Sequence, residues 1–178
     1  MFNSTIDNLG LDWFDRDRVV QRVLIFGSPI PGTSVLHWRI LLNIDFSGNQ
    51  RSVLLDLNKG GAESRTGILL IKSVNYSTSQ SAQTSFPFGV PGGITVGRFI
   101  DLVLGLKRNR YRFDSTGSGC RYWCWVVLSD FERAGFVASG SSAFFLQAIA
   151  GLAQDNPARY PIPAPEGSFY VSRFSYSE

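Results

Sequence analysis

Apolar runs in the first half of the chain alternate with clusters of Gly, Pro, Ser and Asn, which is typical of short strands joined by turns. A Ser-Gly-Asn turn between residues 45 and 50 joins two of the runs into a predicted hairpin. The polar stretch 77–85 and the Pro-Gly segment 86–93 predict a long irregular connection, which is a candidate site lining. The predicted strands lie within residues 15–26, over 35–44, over 52–57 and over 67–76, with a loop at 27–34.

Apolar residues in the second half recur every three or four positions, which predicts helices. We expect one over 95–106 with Thr95 as its N-cap, one from Cys120 to about Gly135, and a third from Ser141 or Ser142 to residue 153. The third is strongly apolar, so we expect it to be buried against the sheet. A short extended segment at 111–113 precedes the second helix, and a Pro-rich linker at 156–165 leads to a last strand at 168–174.

This order of elements predicts an α+β domain with an antiparallel sheet packed against a small set of helices. With 178 residues, 44% hydrophobic and 17% charged, the chain fits a single globular domain over residues 1–178. Neither a signal-peptide pattern at 1–10 nor an apolar run of about 18 residues is found, so we expect a soluble, cytoplasmic protein without a membrane span. Cys120 and Cys124 are poorly spaced for a disulfide, and reduced thiols fit that compartment.

The charge of the chain says little about its partners. Lys and Arg total 17 and Asp and Glu total 14, a net charge of +3 that commits the protein neither to nucleic acid nor to anionic membranes. Basic residues at 107–112 interleave with Tyr111, which is a pattern that can bind phosphates and stack on bases. We favour a solvated helix end for this stretch, and nucleic acid is not an expected partner.

Several chemistries lack the residues that they need. One histidine and two cysteines, without HExxH or paired CxxC spacing, do not predict a metal site. Neither a complete P-loop nor a GxGxxG motif is present, so no nucleotide or other cofactor is expected. The absence of a GxSxG elbow gives no support to a serine hydrolase of the α/β type.

Cys120 and His37 form the most informative pair in the chain. Cys120 follows Ser118 and Gly119 and opens a predicted helix, whereas His37, the only histidine, opens a predicted strand. Papain-like thiol chemistry needs such an arrangement, because the base must reach the sulfur from a separate element. The helix N-terminus favours a negatively charged sulfur. Cys124, four positions further on, aligns with apolar residues and is expected to be core.

The strand that begins with His37-Trp38 resembles the histidine strand of the circularly permuted NlpC/P60 group of papain-like proteins. This group includes PPPDE-type and lecithin:retinol acyltransferase-like thiol enzymes. The second half is similar too, because a helix and a Tyr-containing lead-in precede a Cys that opens the next helix. The matching segments lie within residues 35–135: the strand at 37–42, the helix at 95–106, the lead-in at 111–113 and the Cys motif at 119–123.

Two departures from that group stand out. Gly119 replaces the Asn that usually precedes the Cys, and the second-strand histidine of the acyltransferase relatives is absent. The whole chain also resembles a small uncharacterised family of fungal proteins, which implies no function.

The resemblance implies a role for several residues. Asp56, which interrupts an apolar run on the second strand, would orient His37, although Asp56 could instead end a strand before a turn. Asp45 is a competing orienter that fits the hairpin turn better. The residues around Cys120 also suggest an oxyanion or substrate-binding set. An arginine of the lead-in, such as Arg112, would meet a substrate carboxylate or phosphate. Trp123 and Trp125 cannot both face the core, so one of them would line a cleft or a partner surface. The members of that set are Gly119, Trp38, Tyr122, Trp123 and Arg112.

The expected function is therefore a cysteine-dependent hydrolase or acyltransferase with a Cys120-His37-Asp56 triad and an acyl-Cys intermediate. Its partner would be a small-molecule or peptide substrate with an amide, ester or thioester. Two alternatives stay open: a non-catalytic binding module on the same fold, and a small-molecule biosynthetic cyclase that uses the same thiol. The sequence does not predict the oligomeric state.

Overall fold

The computed structural model describes residues 5–45 and 48–171. Within these ranges the chain forms short strands first and helices later, as the hydrophobic pattern predicts. A 3-10 helix, Trp13–Asp17, lies between the first two strands. The other elements are β1 Ile6–Asp7, β2 Arg22–Pro29, β3 Leu36–Asp45, β4 Arg51–Lys59, β5 Gly67–Val74, β6 Thr84–Gly89, α1 Val96–Gly105, β7 Tyr111–Arg112, α2 Cys120–Arg133, α3 Ser141–Asp155 and β8 Ser168–Phe169.

The α+β class is confirmed, but the main sheet is mixed rather than antiparallel. Its six strands run in the order β1-β5-β4-β3-β2-β6. All neighbours pair antiparallel except β1, which lies parallel to β5 with Ile6 opposite Leu69. The expectation of an antiparallel sheet failed because a two-residue edge strand in a polar segment has no period of its own to reveal it.

The helices cover one face of this sheet. Alternate residues of β3, among them Trp38 and Ile40, point toward the helices and join the large core with Phe99 of α1, Val127 of α2 and Phe145 of α3. A smaller apolar cluster around Phe26 and Leu41 lies on the other face, where Tyr76 and Ala82 pack against it. Both faces of the central strands are therefore buried, which explains their nearly continuous apolar runs.

The first predicted strand begins later than expected. Residues 15–21 lie outside β2, and Asp15 is fully buried at the 3-10 helix. Its Oδ2 accepts hydrogen bonds from Arg51 and Ser73, at 3.0 and 2.5 Å. This polar network fixes the backbone of the segment in place of the strand. At the other end, β2 extends through Pro29 into the predicted loop.

The segment 86–93 is not irregular throughout, because β6 occupies Thr84–Gly89. Phe86 and Phe88 are buried while Ser85 and Pro87 are exposed, which is the alternation of a strand with one face on the core. β6 is an edge strand, where the missing N–H of Pro87 is tolerated. The proline and glycines concealed this short strand in the sequence.

All three predicted helices are confirmed. Thr95 occupies the N-cap of α1, but it makes no side-chain cap hydrogen bond, and its carbonyl accepts from Arg98 and Phe99 instead. The long apolar α3 is less buried than predicted. Phe145 and Ile149 enter the core, whereas Phe144 is 54% and Leu146 is 46% exposed.

The last strand pairs away from the main sheet. β8 forms a separate two-stranded sheet with β7, and Tyr111 lies opposite Phe169. The predicted end of this strand, residues 172–174, lies outside the described residues. Among the helices that the structure describes, none has the length and apolar character needed to cross a membrane.

Candidate functional site

The sulfur of Cys120 lies where two central strands part. The ladder between β3 and β4 ends at the pair Ile40 and Leu55, although both strands continue past this point. Beyond it, the N–H of Trp38 donates to Cys120 Sγ at 3.4 Å, and the thiol donates to the carbonyl of Leu36 at 3.8 Å. The side chain of Cys120, the first residue of α2, therefore bonds backbone groups of β3 that lie beyond the end of its ladder with β4.

His37 links the thiol to a buried carboxylate. Its Nε2 lies 2.6 Å from Asp56 Oδ1. The side chain of Cys120 also interacts with the imidazole and raises the pKa of His37. The structure therefore brings Cys120, His37 and Asp56 together, as the sequence predicts.

Asp56 is fixed from a second side by Arg39. The Arg39 Nε donates to Asp56 Oδ2 at 2.8 Å, so each carboxylate oxygen has its own charged or chargeable partner. Asp56 lies inside β4 and is buried, which removes the alternative that it merely ends a strand before a turn. Asp45 instead accepts the backbone N–H groups of Gly48 and Asn49 in the hairpin turn, as expected.

The electrostatics favour a protonated imidazole beside an ionised carboxylate. Burial lowers the pKa of His37, but the hydrogen bonds and charges of Asp56 and Cys120 outweigh burial and raise it to about 9. Burial alone would raise the pKa of Asp56, yet His37 and Arg39 hold it below its usual value. At neutral pH the pair is therefore an imidazolium and a carboxylate.

The second cysteine has a different environment. Cys124 is fully buried in the helix-facing core, and burial raises the pKa of its thiol well above its usual range. Its assignment to the core is confirmed. Cys120 is partly exposed and lines a cavity.

Gly119 holds an unusual backbone conformation directly before the reactive helix. Its φ is +132°, a region that side chains rarely adopt, and a Cβ there would lie 2.6 Å from the Tyr111 hydroxyl. That hydroxyl donates to the Gly119 carbonyl at 2.9 Å and accepts the N–H of Gly167 at 2.8 Å. This packing gives a physical reason for glycine where the resembling group has asparagine.

Cys120 and His37 open into a cavity of about 180 Å³ between the ends of β3 and β4, the start of α2 and the segment 159–165. Most of its wall is apolar. Its charged lining residues besides His37 are all basic. They are Lys59, Arg121 and Arg159.

Only some of the remaining predicted site residues line this cavity. Gly119 and Trp38 line this cavity, and Trp38 also contacts the sulfur through its backbone. Trp123 does not line a cleft, because it is fully buried and its Nε1 donates to the Arg108 carbonyl at 2.8 Å. The predicted role of Arg112 is also wrong, because its exposed side chain lies over the Tyr170 ring and the residue does not line the cavity.

A second cavity of about 330 Å³ adjoins the first and shares Arg121 with it. Tyr122 lines this second cavity, together with Trp125, and the remaining wall is mainly apolar residues of α3 and the segment 162–164. The Trp125 indole N–H is buried and has no hydrogen-bond partner in the part of the chain that the structure describes. Of the two neighbouring tryptophans, Trp125 is thus the one that faces a cleft.

Sequence reasoning missed four basic residues near the site. Arg39 is two positions from His37 on the same strand, so the two side chains share a face, and this signal was available. Lys59, Arg121 and Arg159 carried no comparable signal, because their meeting depends on how the ends of β4, α2 and α3 pack.

Of the basic residues in the stretch 107–112, Arg108 is tied into the fold, whereas Lys107 and Arg112 are exposed. Arg108 makes a bidentate ion pair with the buried Asp130, at 2.6 and 3.1 Å, and its guanidinium lies over the Phe169 ring.

Within residues 5–45 and 48–171, no three His, Cys, Asp or Glu side chains are grouped so that they could hold a metal ion.

Comparison with known proteins gives one match. The family model described as a domain of unknown function, DUF7770, matches residues 27–170 and so includes every residue of the triad. No curated protein matches the chain. No solved structure matches it either.

Proposed function

The chain belongs to the DUF7770 family, described as a domain of unknown function, and we propose that it is a thiol enzyme that attacks acyl carbons through Cys120. In this proposal its fold is a papain-like one of the permuted NlpC/P60 type. The enzyme is a hydrolase or acyltransferase, with His37 as acid and base and Asp56 as the residue that orients His37.

The observation that carries the proposal is that His37 bonds the buried Asp56 and lines one cavity with Cys120, whose side chain also raises the pKa of His37. Three elements supply these groups, and a cavity opens beside the sulfur. An imidazole that is merely packed in a protein does not need both a buried carboxylate and a thiol. The arrangement is that of an activated nucleophile, in which the base is itself oriented by a third group.

The proposed reaction has two steps. In the first, Cys120 gives up its proton to the imidazole and its sulfur forms a bond to the acyl carbon, while the bond from that carbon to the amine, alcohol or thiol breaks and His37 passes the proton to this leaving group. In the second, His37 takes a proton from water or another acceptor, which attacks the thioester and releases the sulfur. Backbone N–H groups at the start of α2 are free to bind the carbonyl oxygen, and such donors are typically worth about 3 kcal/mol in the transition state.

The proposal is tested by trapping the acyl-enzyme. The protein is mixed with 4-nitrophenyl acetate and with acetyl and hexanoyl thioesters, quenched in acid and weighed intact, and the modified residue is mapped by peptide sequencing. We expect one acyl group on Cys120, formed together with a burst of 4-nitrophenol.

Matched variants separate this chemistry from adventitious acylation. Cys120→Ser should abolish the adduct, whereas Cys124→Ser should retain it, because Cys124 is buried away from the cavity. His37→Gln should slow acylation by about a hundredfold or more. Acylation that is the same in the wild type and His37→Gln, or that is found on lysines alone, would overturn the proposal.

A second candidate function is a non-catalytic binding module. The observation in its favour is the second cavity, where the unpartnered indole N–H of Trp125 faces a mainly apolar wall. An apolar ligand with one hydrogen-bond acceptor fits this chemistry. If this function holds, Trp125→Phe weakens ligand binding while the acyl-enzyme assay detects no adduct in any variant.

A further inference from the structure

The charged residues that line the cavity beside Cys120 are all basic. Its lining residues include Lys59, Arg121 and Arg159 as well as His37, whereas no Asp or Glu of the described residues lines it. The chain as a whole is nearly balanced, with 17 basic and 14 acidic residues. The excess of positive charge in the cavity is therefore a local feature of the site.

Arg121 is the most constrained of these cations. Arg121 is buried, with 7% of its surface exposed. One terminal nitrogen of its guanidinium donates to the Pro161 carbonyl. Throughout residues 5–45 and 48–171 it has no carboxylate partner. Burial lowers its pKa, but a guanidinium remains charged in proteins.

A buried cation without a carboxylate is costly for the fold. Buried charges in proteins are normally paired or hydrogen-bonded throughout. Other ion pairs of this protein follow that rule, because Arg108 is matched by Asp130 and Arg39 by Asp56. Arg121 lines both the Cys120 cavity and the adjoining one, which includes Glu166, but it forms no ion pair among the described residues, so a ligand in the Cys120 cavity can supply a counter-charge.

Lys59 and Arg159 reach the same cavity from different elements. Lys59 ends β4 and passes over Gly117, since its Nζ is the atom that a Cβ at Gly117 would meet. Arg159 follows α3, and its Nε donates to the Ser34 carbonyl at 3.3 Å. Neither side chain makes an ion pair with a carboxylate in the described parts of the chain, so both can turn toward a bound anion.

We propose that the substrate carries a carboxylate or phosphate group beside its acyl carbon, and that Arg121, Lys59 and Arg159 bind this group in the Cys120 cavity. This inference rests on the proposed function for its acyl step. Arg121 supplies the planar donor pair that suits either anion, whereas Lys59 adds a point charge. The apolar wall, which includes Leu57 and Phe113, accommodates the body of the substrate.

The first test compares two alkylating agents of nearly equal size, iodoacetate and iodoacetamide, which differ in charge. The ratio of their second-order rate constants at Cys120 is measured by intact mass and divided by the same ratio for glutathione. We expect this normalised ratio to be at least about tenfold above unity. It should fall toward unity in Arg121→Gln, because the remaining cations bind the carboxylate less well.

Charge-matched variants control for the overall field of the protein. Lys59→Gln and Arg159→Gln should each lower the ratio severalfold. Arg18→Gln and Lys72→Gln remove exposed cations outside the cavity, and both should keep the ratio of the wild type. If Arg121→Gln does not fold, the Lys59→Gln/Arg159→Gln double variant tests the same claim with exposed or half-exposed side chains. Equal loss in the cavity and control variants would contradict the inference.

The second test does not depend on a reactive thiol. Phenylacetate, phenylacetamide and phenyl phosphate are titrated into the Cys120→Ser variant by calorimetry. Both anions, or one of them, should bind at least about tenfold more tightly than the neutral amide, and the preferred anion identifies the group. Equal affinity for all three probes would overturn the inference.

Together the two tests separate this inference from the proposed function. Fast alkylation at Cys120 without any preference for charge leaves the thiol enzyme and removes the anion site. Alkylation no faster than that of glutathione, together with selective binding of the anions, removes the thiol enzyme and leaves the anion site.

Discussion

At the level of single residues, His37 is positioned by partners on two different elements. Asp56 of β4 bonds its Nε2, and Cys120 of α2 contacts the same ring. Arg39 occupies the other oxygen of Asp56, so the carboxylate has little freedom to turn away. The ring is thereby held in one orientation, with one N–H directed at the carboxylate.

The first prediction concerns the protonation of His37. Because the chain has one histidine, its imidazole signals can be followed by NMR without ambiguity. We expect a pKa of about 9, and a clear decrease in Asp56→Asn and in Cys120→Ser, because each variant removes a group that raises this pKa. A pKa at or below that of free histidine in the wild-type protein would contradict the geometry described for the site.

The three triad residues could be predicted from the sequence because each has a local signal. A cysteine at a helix start, a histidine at a strand start and an acid inside an apolar run all stand out within a few residues. The spacing of two residues placed Arg39 on the same face as His37, but the partner of Arg39, and the role of Tyr111, could not be assigned in this way. Their roles depend on which strand lies opposite Arg39 and on where the segment around Gly167 returns, and both are set by tertiary packing.

At the level of elements, the start of α2 depends on the residue before it. Gly119 adopts a φ of +132° and packs against the Tyr111 hydroxyl, which joins the Gly119 carbonyl to the N–H of Gly167. Burial raises the pKa of Tyr111, so this hydroxyl keeps its proton as a donor. The same contact connects α2, β7 and the returning segment beside the cavity.

The second prediction is that Gly119→Ala destabilises the protein. The strained φ and the clash with Tyr111 should together cost about 1–3 kcal/mol in the free energy of unfolding, measured by urea titration. Gly151→Ala is the matched control, because Gly151 lies within α3 with nothing near its Cβ. That change should stabilise the protein by roughly 0.5–1 kcal/mol. A Gly119→Ala variant as stable as the wild type would show that the backbone is not constrained there.

Element boundaries were predictable where hydrophobic periodicity was strong and uninterrupted. α2 and the β3–β4 hairpin agree closely with the pattern. β6 was missed because Pro87 suggested a loop, and only the position of this strand at the sheet edge makes the proline acceptable. The burial of α3 was overestimated, since an apolar helix face such as that of Leu146 can line a cavity instead of the core.

At the level of the whole molecule, the site couples folding stability to pH. The pKa of His37 is raised on folding, so its stabilising contribution is fully present below about pH 6.5. That contribution is lost as the pH rises through about 9. The pKa of Asp56 is lowered, so its contribution is present above its usual pKa of about 4 and is lost as the pH falls below that value.

The third prediction follows from this coupling. The wild type should exceed His37→Gln in free energy of unfolding by a few kcal/mol at pH 6, and this difference should shrink steadily between pH 7 and pH 10. Chemical denaturation of both proteins across this range measures the difference. A gap that is constant with pH would mean that His37 contributes packing but no charge interaction.

The most direct test of the thiol enzyme is alkylation with iodoacetamide from pH 5 to pH 9, followed by intact mass and mapping of the labelled cysteine. We predict fast labelling of Cys120 already near pH 6, no labelling of the buried Cys124, and a loss of rate of about a hundredfold in His37→Ala. Labelling that rises only at about pH 8.5, as for a free thiol, and that is unchanged in His37→Ala would contradict the account.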